Sequence, residues 1–250
     1  MKKHILLISN PGEKGADNYC NGVNVDIEKY YNYFTSPLGG TWHTGEITHL
    51  DRTTVSGLKS TLSKMKDNDY LKVIFCGHGY YSARRTSTIL ELRSKEEIDS
   101  VELRGIVGKQ TIILDCCRQI HPDILLEERM AKFAKSFSFP DLNPQDCRRY
   151  YEASIEKCAP GIIVTYGCNI NEVAGDSSSQ GGYFSSSLLK VCKKIHENST
   201  VDIKTDYHAH NIVNVFNNAV PLVQKLSGNT QNPQIEKPRS DLYYPFAIIA

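Results

Sequence analysis

Leu71-Lys-Val-Ile-Phe-Cys-Gly-His-Gly-Tyr80 and Thr111-Ile-Ile-Leu-Asp-Cys-Cys-Arg-Gln119 are built alike: an apolar, β-branched run that stops abruptly at polar and sulfur-bearing residues. Each run has the length of a strand and falls short of a helix. Neither alternates between apolar and polar, so both faces of each strand are expected to be covered, the pattern of a parallel sheet between helices. In such sheets ligands bind beyond the carboxyl ends of the strands. Cys76-Gly77-His78-Gly79 and Asp115-Cys116-Cys117-Arg118 are therefore expected on one rim.

Working outward, similar runs at 5–9, 46–50, 162–166 and 246–249 bring the expected sheet to six mostly parallel strands, with Thr86 to Leu92 as a further short strand. Val55, Leu58, Leu62 and Met65 recur at helical spacing behind Thr53 and Thr54, which are suitable caps. Helices are also expected over 26–34, 184–195 and about 209–226, the last interrupted by Pro221. No repeat or linker-like composition divides the chain, so residues 1–250 read as one α/β domain. Its main irregular stretch is 121–160, with Pro122, Pro140 and Pro144.

The 250 residues carry 29 Lys+Arg against 28 Asp+Glu, so charge points to neither nucleic acid nor an anionic membrane surface as partner. Eight cysteines, with no Cys-x-x-Cys among them, do not suit the disulfide framework of a short secreted chain. The apolar start is too brief for a signal segment or a spanning helix, and reduced thiols in a cytoplasm are expected. Cys76, Cys116 and His78 lack the paired spacing of a zinc site, His208-Ala-His210 reads as a solvated helix start, and the scattered acids form no calcium loop. No metal or cofactor is expected.

The rim residues instead suit nucleophilic catalysis, in which a thiol needs a base and the developing oxyanion needs donors. His78 is the candidate base. The amides at Gly79 and Cys117 are candidate oxyanion donors. Alternation along the extended chain puts Asp115 and Cys117 on one face and Leu114, Cys116 and Arg118 on the other, which favours Cys117 over Cys116 as nucleophile.

These motifs resemble those of the caspase and metacaspase family of cysteine peptidases. Cys76-Gly77-His78-Gly79 is similar to the family's histidine motif, and Asp115-Cys116-Cys117-Arg118 to its Asp-x-Cys motif. Gly22 to Asp26, Gly161 to Gly167, Glu172 to Ala174, Gly181 to Ser185 and the closing Tyr244 to Ile248 extend the likeness along the chain. The resemblance implies a three-layer caspase-like fold in which 1–120 corresponds to a large subunit, 121–160 to a linker and 161–250 to a small subunit. It further implies cysteine endopeptidase activity. Cys117 follows His78 by 39 positions, fewer than the caspase spacing of about 50, and Gln119 and Arg118 depart from the subfamily signatures.

Where a caspase carries the arginine that selects aspartate, this chain has Cys20, with Asp17 and Asp26 nearby. Together with Asp115 they imply a pocket for a basic P1 residue, Arg over Lys, in a protein or peptide substrate. Asp115 as a turn cap and Asp26 as an acid in a first helical turn are the plainer alternatives. Arg129, Lys132, Lys135, Arg148 and Arg149 are candidate self-cleavage sites. The resemblance to compact bacterial members suggests a role in defence or regulated cell death, for instance on a gasdermin-like pore-forming protein. A catalytically silent binding module, or a Cys-His hydrolase with another P1 preference, remains the alternative reading.

Overall fold

Apolar, β-branched runs become strands wherever both of their faces can be covered, and the computed structural model, which describes residues 1–120, 142–199 and 207–249, follows that rule. The strands are β1 (Lys3–Asn10), β2 (Ile47–Asp51), β3 (Tyr70–Gly77), β4 (Gly79–Ser82), β5 (Ser87–Arg93), β6 (Glu96–Asp99), β7 (Lys109–Asp115), β8 (Gly161–Tyr166), β9 (Asp176–Ser177), β10 (Gly181–Gly182), β11 (His208–Asn211), β12 (Gln234–Glu236) and β13 (Pro245–Ile249). The helices are α1 (Asn21–Thr35), α2 (Val55–Lys64), α3 (Pro144–Lys157), α4 (Tyr183–Glu197) and α5 (Ile212–Ser227).

The central sheet has six strands in the order β12-β8-β7-β3-β1-β2. All neighbours are parallel except β12, which runs antiparallel to β8. Side chains alternate between two cores. Ile5, Leu7, Tyr70, Ile74 and Ile113 enter the core that also holds buried residues of α1, α3, α4, α5 and β13. Leu6, Ile8, Val73, Phe75, Ile112 and Leu114 enter the core beneath α2 and the hairpin strands β5 and β6. The expected strand at 86–92 is β5, in a separate antiparallel sheet β4-β5-β6.

Three expectations are corrected. The closing run at 246–249 does form a strand, but β13 pairs antiparallel with β11 off the central sheet, and the sixth place is taken by β12. The stretch 121–160 is not irregular throughout: Asn143 caps α3 by accepting from the amides of Gln145 and Asp146, and Pro144 occupies the first turn, where its missing N–H is harmless. His208 and His210 lie on β11 rather than in a helix start, and α5 runs on through Pro221, anchored by a buried face that includes Val215, Phe216, Ala219 and Val223.

Candidate active site

Parallel pairing of β3 with β7 sets Cys76 beside Asp115. His78 and Cys117, each two residues further on, thus leave the carboxyl ends of neighbouring strands at the same level. Alternation then separates the two adjacent thiols. Cys116 is 2% exposed within the second core, and a Cβ on Gly79 would stand 3.0 Å from its Sγ. Cys117 is half-buried at the rim, its thiol 3.9 Å from the carbonyl oxygen of Ala174.

The His78 imidazole lies against the loop that follows β1. Its Nε2 is buried and has no hydrogen-bond partner among the described residues. Gly12 fits here because a Cβ would stand 3.2 Å from that nitrogen. The His78 carbonyl accepts from the Glu91 amide at 3.0 Å. By the alternation of an antiparallel ladder, this bond turns the Gly79 N–H away from β5, toward the rim. A side chain at Gly79 would also meet the Ile89 carbonyl at 2.7 Å, so only glycine leaves this backbone accessible.

Beside the rim, carboxylates from three distant segments converge. Asp115 is buried, and its Oδ2 accepts from the Ser185 amide at 3.0 Å and hydroxyl at 2.6 Å, in the first turn of α4. Asp26 is 2% exposed; its Oδ2 accepts from the Gly182 amide at 2.7 Å, and its Oδ1 is buried with no partner among the described residues. Asp176 faces Gly182 across the β9–β10 ribbon. The ribbon's glycines are required by this crowding: a Cβ on Gly182 would overlap the Asp115 carboxylate, and one on Gly181 that of Asp26. Burial, followed by repulsion from Asp115, holds the Asp26 carboxyl well above the ordinary range, opposed by Lys29 nearby. Burial raises Asp115 to about 6, with the Ser185 bonds opposing and Asp176 adding to the rise. The Cys117 thiol is raised chiefly by burial, then by the charges of Asp115, Asp176 and Glu91, while its bond to Ala174 opposes the rise.

The site thus contains most of the residues anticipated from sequence and adds others. Asp26 is not in a first helical turn, because α1 begins at Asn21. Its burial against Gly182 replaces the dipole explanation. Asp17 is exposed in the loop after β1, and among the described residues no hydrogen bond or ion pair ties it to the other acids. Asp176, Ser185 and Gln231 were not anticipated. Gln231, fully buried, pins the 167–175 loop beside Cys117 by donating to the Gly167 carbonyl and accepting from the Gly175 amide. Arg118 is buried, donating to Thr88 and the Cys168 carbonyl with its guanidinium 4.0 Å over the Tyr166 ring. Of the candidate cleavage sites, 129, 132 and 135 lie outside the described residues. Arg148 and Arg149 sit within α3, where Arg148 is held by Glu46 and Glu152, so neither offers the extended backbone a peptidase needs.

Among the described residues, no group of His, Cys, Asp and Glu side chains is arranged to hold a metal ion, and no helix is long and apolar enough to cross a membrane. All eight cysteines are free thiols. A family model described as the caspase domain matches residues 2–244. No curated protein matches the chain.

Proposed function

The chain belongs to the caspase-domain family of cysteine peptidases, and from that premise we propose an endopeptidase that cleaves proteins after basic residues, with Cys117 as nucleophile and His78 as general base and acid. The observation that carries the basic preference is the Asp26 carboxylate. It is almost wholly buried beside Asp115 and Asp176, and its Oδ1 has no hydrogen-bond partner among the described residues. Burial and the neighbouring acids disfavour charge on Asp26 in the empty pocket, and a guanidinium entering it supplies the opposite charge and donates to the open oxygen in a planar fork. An aspartate side chain would meet like charge instead.

In the free enzyme the raised thiol pKa keeps Cys117 protonated, so the thiolate forms as the substrate carbonyl is engaged. His78 takes the Sγ proton as sulfur bonds to the carbonyl carbon. The amides of Gly79 and Cys117 donate to the developing oxyanion. The carbon–nitrogen bond then breaks as His78 returns the proton to the departing amine, and water, deprotonated by the same imidazole, releases the acyl group from sulfur. Self-processing, where it occurs, is assigned to the segment preceding α3.

A panel of fluorogenic peptides differing only at P1 (Arg, Lys, Asp or Asn), with Cys117→Ala as control, tests the proposal. Arg is expected to exceed Lys, and Asp to be turned over at least 100-fold more slowly, with no turnover by the variant. Hydrolysis retained in Cys117→Ala and lost in Cys116→Ala would overturn the nucleophile, and equal rates for Arg and Asp would overturn the pocket.

A further inference from the structure

His78 borders a cavity of about 610 Å³ whose lining includes neither Cys117 nor the acids Asp115 and Asp26. Its walls come from the loop after β1 and from the β5–β6 hairpin, and they include Gly12, Glu13, His78, Glu91, Lys95 and Glu97. The walls are tied together. Asn10 accepts from the Gly12 amide at 3.1 Å and donates to the Glu91 carbonyl at 2.8 Å, while the Glu91 amide bonds the His78 carbonyl. The space is therefore built into the fold beside the imidazole.

The direction of the reaction gives it a role. The P1 side chain enters at Asp115, and the departing amine must stand at His78 to receive its proton, so the chain beyond the scissile bond runs over the imidazole into this cavity. The charges facing that path are not equivalent. Glu96 is bound to Arg93 and accepts from the Val55 amide, and Glu97 accepts from the Tyr80 hydroxyl at 2.9 Å. The carboxylate of Glu91, half-buried as the cross-strand neighbour of His78, has no hydrogen bond or ion pair among the described residues. Glu91 shares the cavity wall with His78, and its charge also acts on the Cys117 thiol.

We infer that this cavity is the primed-side subsite of the peptidase, and that Glu91 makes it favour a cationic side chain immediately after the scissile bond. The inference rests on the Cys117 and His78 reading but not on the choice of P1 residue. Combined with the basic P1 pocket proposed above, it makes the cleavage site a pair of adjacent basic residues, one on each side of the broken bond.

The test uses internally quenched peptides identical through P1 Arg and carrying Lys, Ala or Glu at the next position, alongside coumarin amides with Arg or other P1 residues and no primed side. For the wild type, kcat/KM is expected to fall in the order Lys, Ala, Glu, with Lys about tenfold above Glu. In Glu91→Gln that ratio is expected to shrink to within about twofold. Equal rates for Lys and Glu in the wild type overturn the inference without recourse to a variant. A uniform loss on all three peptides in Glu91→Gln, with the preference intact, also overturns it and makes Glu91 a positioning residue for His78. If the coumarin amides favour another P1 residue, the basic-pocket reading fails separately, and the three peptides rebuilt on that residue still decide the primed side.

Discussion

Cys116 and Cys117 are neighbours in sequence with opposite environments. One extended residue of difference sends the first sulfur into an apolar core and the second to the rim. The same alternation aims Asp115 at the pocket, and its titration ties the site to stability. The folded chain keeps the Asp115 proton up to about pH 6, whereas an unfolded carboxyl releases it near 3.8. The native state therefore gains from this group below that window and loses the gain as pH rises through 6. Two pH units correspond to about 3 kcal/mol held against folding at neutral pH. Asp115→Asn is accordingly expected to melt roughly 5 °C higher than wild type at pH 7.5 and no higher at pH 3.5, while losing most activity on Arg substrates. Calorimetry at the two pH values checks the sign, and a melting point equally raised at both would contradict it.

At the scale of elements, the short ribbon β9–β10 and the first turn of α4 form the floor of the proposed P1 pocket. The amides of Gly182 and Ser185 point at Asp26 and Asp115, the favourable arrangement of carboxylates near a helix N-terminus. Gly182→Ala would drive a methyl group into both carboxylates. It is expected to lower kcat/KM on Arg peptides about 100-fold while preserving the melting point within a few degrees. A panel of P1 peptides on this variant measures the effect, and unchanged activity would remove Gly182 from the pocket floor. The strands that decide the fold were legible from their apolar runs, and so was the rim they share. The register of α1 is not, because Cys20 at its N-cap is not a capping residue type and makes no side-chain capping bond, so the sequence pattern starts the helix at Asp26. Pro144 reads as a loop residue among the neighbouring prolines, although Asn143 directly before it is the sequence signal of a capped first turn. The sheet's sixth strand, Gln234–Glu236, has only one apolar residue to announce it, whereas 246–249 has the composition of a central strand and spends it on β11.

At the scale of the whole molecule, the sandwich gathers chemistry from widely separated segments. Asp26 comes from the first helix, His78 from just beyond the end of β3, Asp115 from the end of β7, Asp176 from the β9–β10 ribbon and Gln231 from the stretch after α5. The first core that fixes these elements also encloses a lysine: Lys72 is fully buried, donates to the Tyr151 hydroxyl at 2.9 Å, and lies 4.3 Å over the Phe34 ring and 4.6 Å over that of Phe246. Burial presses its pKa well below the ordinary lysine value, and the aromatic rings on three sides compensate its charged form. Asp176 was invisible in the sequence for this global reason, since only the folded ribbon brings it to Gly182. In the proposed enzyme one thiol, served by His78 and directed by an acidic pocket, performs the cleavage. This is tested most directly by treating the protein with a thiol-directed acyloxymethyl ketone built on arginine and mapping the adduct by mass spectrometry. A single adduct on Cys117 is expected, lost in His78→Ala and at least about 100-fold slower with the aspartate ketone. An adduct on Cys116, or equal labelling by the two ketones, would contradict it.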